Sequence, residues 1–118
     1  MRMDREFIRL PEFEKHCKRI GLTEEDVKSI ESELLFNPLL GDVMEGTGGL
    51  RKFRFALPNA GKSGGTRVIY IDFAFYEKIY LIAVFAKSDV GNLSKAERNE
   101  LRGLVNLLES ELRRKRLS

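Results

Sequence analysis

From Pro11 to Ile20 the apolar positions Phe13, Cys17 and Ile20 recur three and four residues apart, which predicts a helix with one buried stripe. Pro11 suits its first turn and Gly21 its end. A second helix opens at Thr23, where Glu24, Glu25 and Asp26 favour its positive end. Val27, Ile30, Leu34 and Leu35 line one face of it, and Asn37-Pro38 stops it. The period then changes. In Leu50 to Leu57, Lys52 and Arg54 share one face of a predicted strand, while Arg51, Phe53 and Phe55 share the other. Arg67 to Phe73 predicts a second strand of β-branched and aromatic residues. Tyr76-Glu77-Lys78 turns the chain into Ile79 to Phe85, "IYLIAVF", apolar on both faces as a central strand is. Ser94-Lys95-Ala96-Glu97 fits a capping box, and Leu101, Leu104, Val105, Leu108 and Leu112 follow at helical spacing. Phe7 to Leu10 adds a short first strand. The order is β-α-α-β-β-β-α, an α+β fold with one antiparallel sheet packed against helices.

The 118 residues form one expected domain, 1–118, with 42% hydrophobic and 33% charged residues. No apolar run approaches the ~20 residues of a membrane helix, and the charged N-terminus has no apolar core of a signal peptide, so no membrane association is expected. A single cysteine, Cys17, cannot form an internal disulfide and fits a reducing cytoplasm. With one histidine beside it, His16, it makes no zinc cage, and adjacent helical residues do not face each other as a nucleophile pair. No metal site and no cofactor are expected.

Charge changes the picture more than composition does. Residues 1–45 carry seven Lys/Arg against eleven Asp/Glu. Residues 46–71 carry Arg51, Lys52, Arg54, Lys62 and Arg67 with no acid at all. Basic residues built into strands suggest a surface for a polyanion. Gly61-Lys62-Ser63 resembles the end of a phosphate loop, but Ala56 stands where that loop needs its first glycine, and a strand follows instead of a helix. The glycines of Pro58 to Gly65 serve a long hairpin bend, with Lys62 at its tip. The run Arg113 to Arg116 favours the C-terminus of the last helix.

Taken in order, "NPLLGDVMEGTGGLRKFRFA", "GGTRVIYI", "AVFAKSD" and "LSKAE" resemble the HigB-type branch of the RelE/ParE toxin superfamily, from about Phe7 to Leu112. The resemblance implies a RelE-like fold and a small cytoplasmic bacterial toxin of a type II toxin–antitoxin pair. It implies a metal-independent, ribosome-dependent mRNA endonuclease that inhibits translation, with mRNA on the ribosome as target and a HigA-like helix-turn-helix antitoxin as partner. The ParE-like alternative poisons DNA gyrase without cleaving RNA.

The resemblance carries four basic positions over: Lys52 and Arg54 on the strand after "GGL", Arg67 in "GGTRVIY", and Lys87 after the last strand. Metal-free cleavage lets the ribose 2′-OH attack the adjacent phosphorus, and charge builds on the non-bridging oxygens. Preorganised Arg and Lys side chains stabilise that charge. Lys52, crowded by two arginines, is the expected base; Arg54 and Arg67 are clamps; Lys87 is a clamp or the proton donor to the leaving oxygen. Arg51 and Lys62 would add RNA binding. Two features depart from the family pattern: Phe85 replaces a common tyrosine, and no Tyr or His follows Tyr80. Loss of one general acid or base typically costs ~10²–10⁴ in rate.

Overall fold

The computed structural model describes residues 4–56, 65–86 and 93–117. The elements run β1 (Glu6–Arg9), α1 (Pro11–Ile20), α2 (Glu24–Phe36), β2 (Asp42–Val43), β3 (Arg51–Phe55), β4 (Thr66–Phe73), a 3-10 turn (Ala74–Tyr76), β5 (Lys78–Ala86) and α3 (Lys95–Leu117). The helix signals are realised as hydrogen bonds. Gly21 takes φ 83° to close α1. Thr23 and Asp26 exchange side-chain and backbone bonds at the start of α2, and Ser94 and Glu97 do the same before α3. Among the described residues no helix is long and apolar enough to cross a membrane.

Five strands form one sheet in the order β1-β5-β4-β3-β2. The expected α+β class stands, but the sheet is mixed rather than wholly antiparallel. β1 runs parallel to β5, from Glu6 opposite Lys78 to Arg9 opposite Leu81. The remaining pairs are antiparallel. From β1 the chain turns at Pro11 into both helices, which carry it to β2 at the far edge of the sheet, and three antiparallel steps then bring it back to β5 parallel to β1. The second difference is β2, two residues within the glycine-rich segment from Leu40 to Gly49. Two residues carry no periodicity to read.

The sheet divides two apolar cores. On one face α1 and α2 place Phe13, Cys17, Val27, Ile30 and Leu34 against Phe53, Phe55, Val68, Tyr70, Ile79 and Leu81. On the other, Val105 and Leu112 of α3 cover Leu50, Ile69, Ile71, Phe73, Tyr80 and Ile82. β5 feeds both cores, which is why its sequence is apolar without alternation. A register shift bends it: Ile69 pairs with Ala83 but Tyr70 with Leu81, so Ile82 is an extra residue.

Candidate active site

Alternation along β3 separates its cations. Arg51 lies on the α1/α2 side, where its guanidinium Nη1 donates to the Gly41 carbonyl at 2.7 Å. It therefore ties down the loop before β2, on the opposite face from Lys52. Lys52 and Arg54 lie on the α3 side, with Lys52 opposite Ile69 and Arg54 opposite Arg67. Directly opposed residues of antiparallel strands share a face. Arg67 in turn pairs with Phe85. Arg54, Arg67 and Phe85 thus form one row across three strands, at the end of the sheet towards which β5 runs.

Lys52, Arg54 and Arg67 line one open cleft of about 360 Å³, together with Glu33, Leu40, Asp42 and Phe53. The cleft exists because β2 pairs with β3 only over Arg51 and Lys52. Beyond Lys52 the edge of β3 is uncovered by β2. Arg54 is exposed, whereas Lys52 and Arg67 are half-buried, so their stems are packed. Three cations held on a rigid sheet suit an oxyanion better than cations on a loop. Lys62 and Lys87 lie outside the described residues.

Two carboxylates share the cleft, and the sequence reading missed both. Asp42 stands opposite Lys52 across β2 and β3. Glu33 reaches the same cleft from α2. Its place three residues after Ile30, on the flank of the apolar face, was readable; that of Asp42 depends on the two-residue strand. The wall they stand on is firmly held. The Tyr70 hydroxyl accepts from the Gly41 N–H at 2.9 Å and donates to the Pro38 carbonyl at 2.8 Å. Burial raises the pKa of this phenol above its ordinary value, so it stays protonated. Gly41 is required here, because a Cβ would come within 2.7 Å of the Lys52 carbonyl oxygen.

Residues 11–117 match the family described as the RelE toxin of the RelE/RelB toxin–antitoxin system. The chain belongs to the RelE toxin family. Its fold is also similar to that of an arginine-to-alanine double mutant of the E. coli toxin RelE in the free state, with a TM-score of 0.50 and 16% identity. That similarity covers 74% of this chain and 88% of the other. Membership accounts for the sheet between two helical layers. Among the described residues no three His, Cys, Asp or Glu side chains come together as a metal cage.

Proposed function

We propose that this RelE-family chain is a HigB-type toxin, one domain acting in the bacterial cytoplasm as a ribosome-dependent, metal-independent mRNA endonuclease. The observation that carries the reading is the convergence of Lys52, Arg54 and Arg67 on one cleft. A surface that only docked on gyrase has no need of three cations lining one cleft. In the reaction a ribose 2′-OH loses its proton and attacks phosphorus, and the 5′-oxygen leaves with a proton. Arg54 and Arg67 hold the non-bridging oxygens as their charge grows. Lys52, half-buried two residues before Arg54 on the same face of β3, takes the 2′ proton, and Lys87 serves the leaving oxygen. Holding the phosphate from two strands fixes the in-line pose that attack requires.

A HigA-like helix-turn-helix antitoxin is the proposed partner. Phe36, Leu39 and Val43 are exposed close to the cleft and offer such a partner an apolar surface. A segment that also neutralises the cations would block the site, and its association would quicken at low salt.

The test is cleavage of a defined mRNA in a reconstituted translation system. Lys52→Ala, Arg54→Ala, Arg67→Ala and Lys87→Ala should each lower cleavage, most for Lys52 and Arg67, with stability changed by no more than about 0.5 kcal/mol for exposed sites. Lys62→Ala should matter little to the cleavage step. Folded, fully active Lys52→Ala and Arg67→Ala variants would remove the basis of the proposal. Loss of DNA supercoiling in cells with translation intact would favour the gyrase activity instead.

A further inference from the structure

β5 outruns the strand that guards its edge. β1 pairs with it only from Lys78 to Leu81, with a last bond from the Leu10 N–H to the Leu81 carbonyl. The chain then turns at Pro11 into α1, and β5 continues to Ala86 without β1 beside it. This uncovered end carries Phe85, the cross-strand neighbour of Arg67, and leads straight to Lys87. It also follows the extra residue Ile82, where a bulge increases local twist. Among the described residues no strand pairs with this edge of β5 beyond Leu81.

His16 contacts this end of β5. Its Nδ1 accepts the Val84 backbone N–H at 3.2 Å, and its ring stands 5.3 Å from the Phe85 ring, tilted 48°. One side chain of α1 thus holds the amide before Phe85 and the face of Phe85 itself. We propose that His16 is a positioning residue for the RNA-cleaving site, latching the end of β5 so that Phe85 keeps its cross-strand neighbour Arg67 in place. This rests on the cleavage reading given above.

The latch is specific to one protonation state. With Nδ1 accepting, the ring proton sits on Nε2 and the imidazole is neutral. A second proton on Nδ1 would set two donors face to face. Burial, then the charge of Arg19, lowers the pKa of His16, with Lys15 adding to this and Glu12 opposing it. β5 faces the ring with Val84 and Phe85, which do not titrate, and Arg67 lies one strand further on. Because the folded pKa lies below the free value of ~6.5, the latch is intact above that pH. It is lost as pH falls through the lower, folded value.

Three proteins decide the matter: wild type, His16→Asn and His16→Leu. Asn offers an amide oxygen near the position of Nδ1 and does not titrate; Leu offers no acceptor. At pH 7.5 His16→Asn should cleave within about threefold of wild type and His16→Leu at least tenfold more slowly, at equal folded fraction by circular dichroism. Wild-type activity should also show an acid limb below pH 6.5 that His16→Asn lacks. In parallel, amide exchange followed by NMR should show Val84 protected in wild type at pH 7 and unprotected in His16→Leu. Equal activity of folded His16→Leu, or an unchanged acid limb in His16→Asn, would overturn the positioning role. Equal Val84 protection in wild type and His16→Leu would overturn the latch. If wild type cleaved no mRNA at all, the cleavage reading would fail, and amide exchange would still decide the latch.

Discussion

Replacing Tyr70 with Phe removes one oxygen and asks what that oxygen does for the cleft. The ring would stay, together with its edge-on contact to Phe53 at 5.9 Å, so packing serves as its own control. Two backbone groups would lose their partner: the Gly41 N–H at 2.9 Å and the Pro38 carbonyl at 2.8 Å. Both bonds are buried, and Tyr70 is fully so. An orphaned buried polar group costs about 1–3 kcal/mol, since water cannot replace the lost bond. Against the unfolding entropy of a domain this size, each such group is worth a fall in Tm of roughly 4–12 °C. Arg51 would still hold the Gly41 carbonyl at 2.7 Å, so the loop should loosen and not detach. Because this loop carries Leu40 and Asp42 of the cleft wall, cleavage should weaken further than the melting shift alone explains. Calorimetry gives the first quantity and the reconstituted cleavage assay the second. A Tm within 2 °C of wild type would refute the argument that the hydroxyl holds the wall.

Two further outcomes follow from the backbone and the core. Gly65 has φ +72°, and a Cβ there would lie 2.5 Å from the Phe55 carbonyl oxygen, so Gly65→Ala should lose about 1–3 kcal/mol in denaturant unfolding. Cys17 is buried and its thiol is pushed up to about 11, chiefly by burial. Alkylation at pH 8 should therefore track unfolding, becoming fast only in denaturant, and rapid native-state labelling would contradict the packing of α1.

The readable parts of the fold were those with a strong local period or a capping pattern. The Phe13, Cys17 and Ile20 spacing, the Thr23 start and the Ser94 box each fix an element through contacts within a few residues. The face assignment along β3 was readable for the same reason, because alternation alone sends Lys52 and Arg54 one way and Arg51 the other. What escaped was set by partners far along the chain. The direction of β1 depends on β5, about seventy residues away, and nothing in Phe7 to Leu10 encodes parallel pairing. Asp42 enters the cleft only because two residues of β2 find Lys52. His16 entered the sequence analysis only as a residue that forms neither a zinc cage nor a nucleophile pair with Cys17. Its helix puts it at an edge amide that β1 leaves uncovered.

That last placement bears on the two departures in the sequence. Phe85 has no hydroxyl to give a proton, and no Tyr or His follows Tyr80, so the end of β5 cannot supply imidazole or phenol chemistry of its own. The sole histidine of the chain reaches that end from α1, and its Nδ1 is already committed to Val84. It is therefore no base at that nitrogen while the strand is latched, and only Nε2–H remains as a donor. In the proposed mechanism proton transfer is assigned to Lys52 and Lys87, and the contribution proposed for His16 is geometric. The two roles separate by experiment. A geometric role is kept by Asn, which accepts a bond and titrates nothing, whereas an acid or base role is lost by Asn as fully as by Leu.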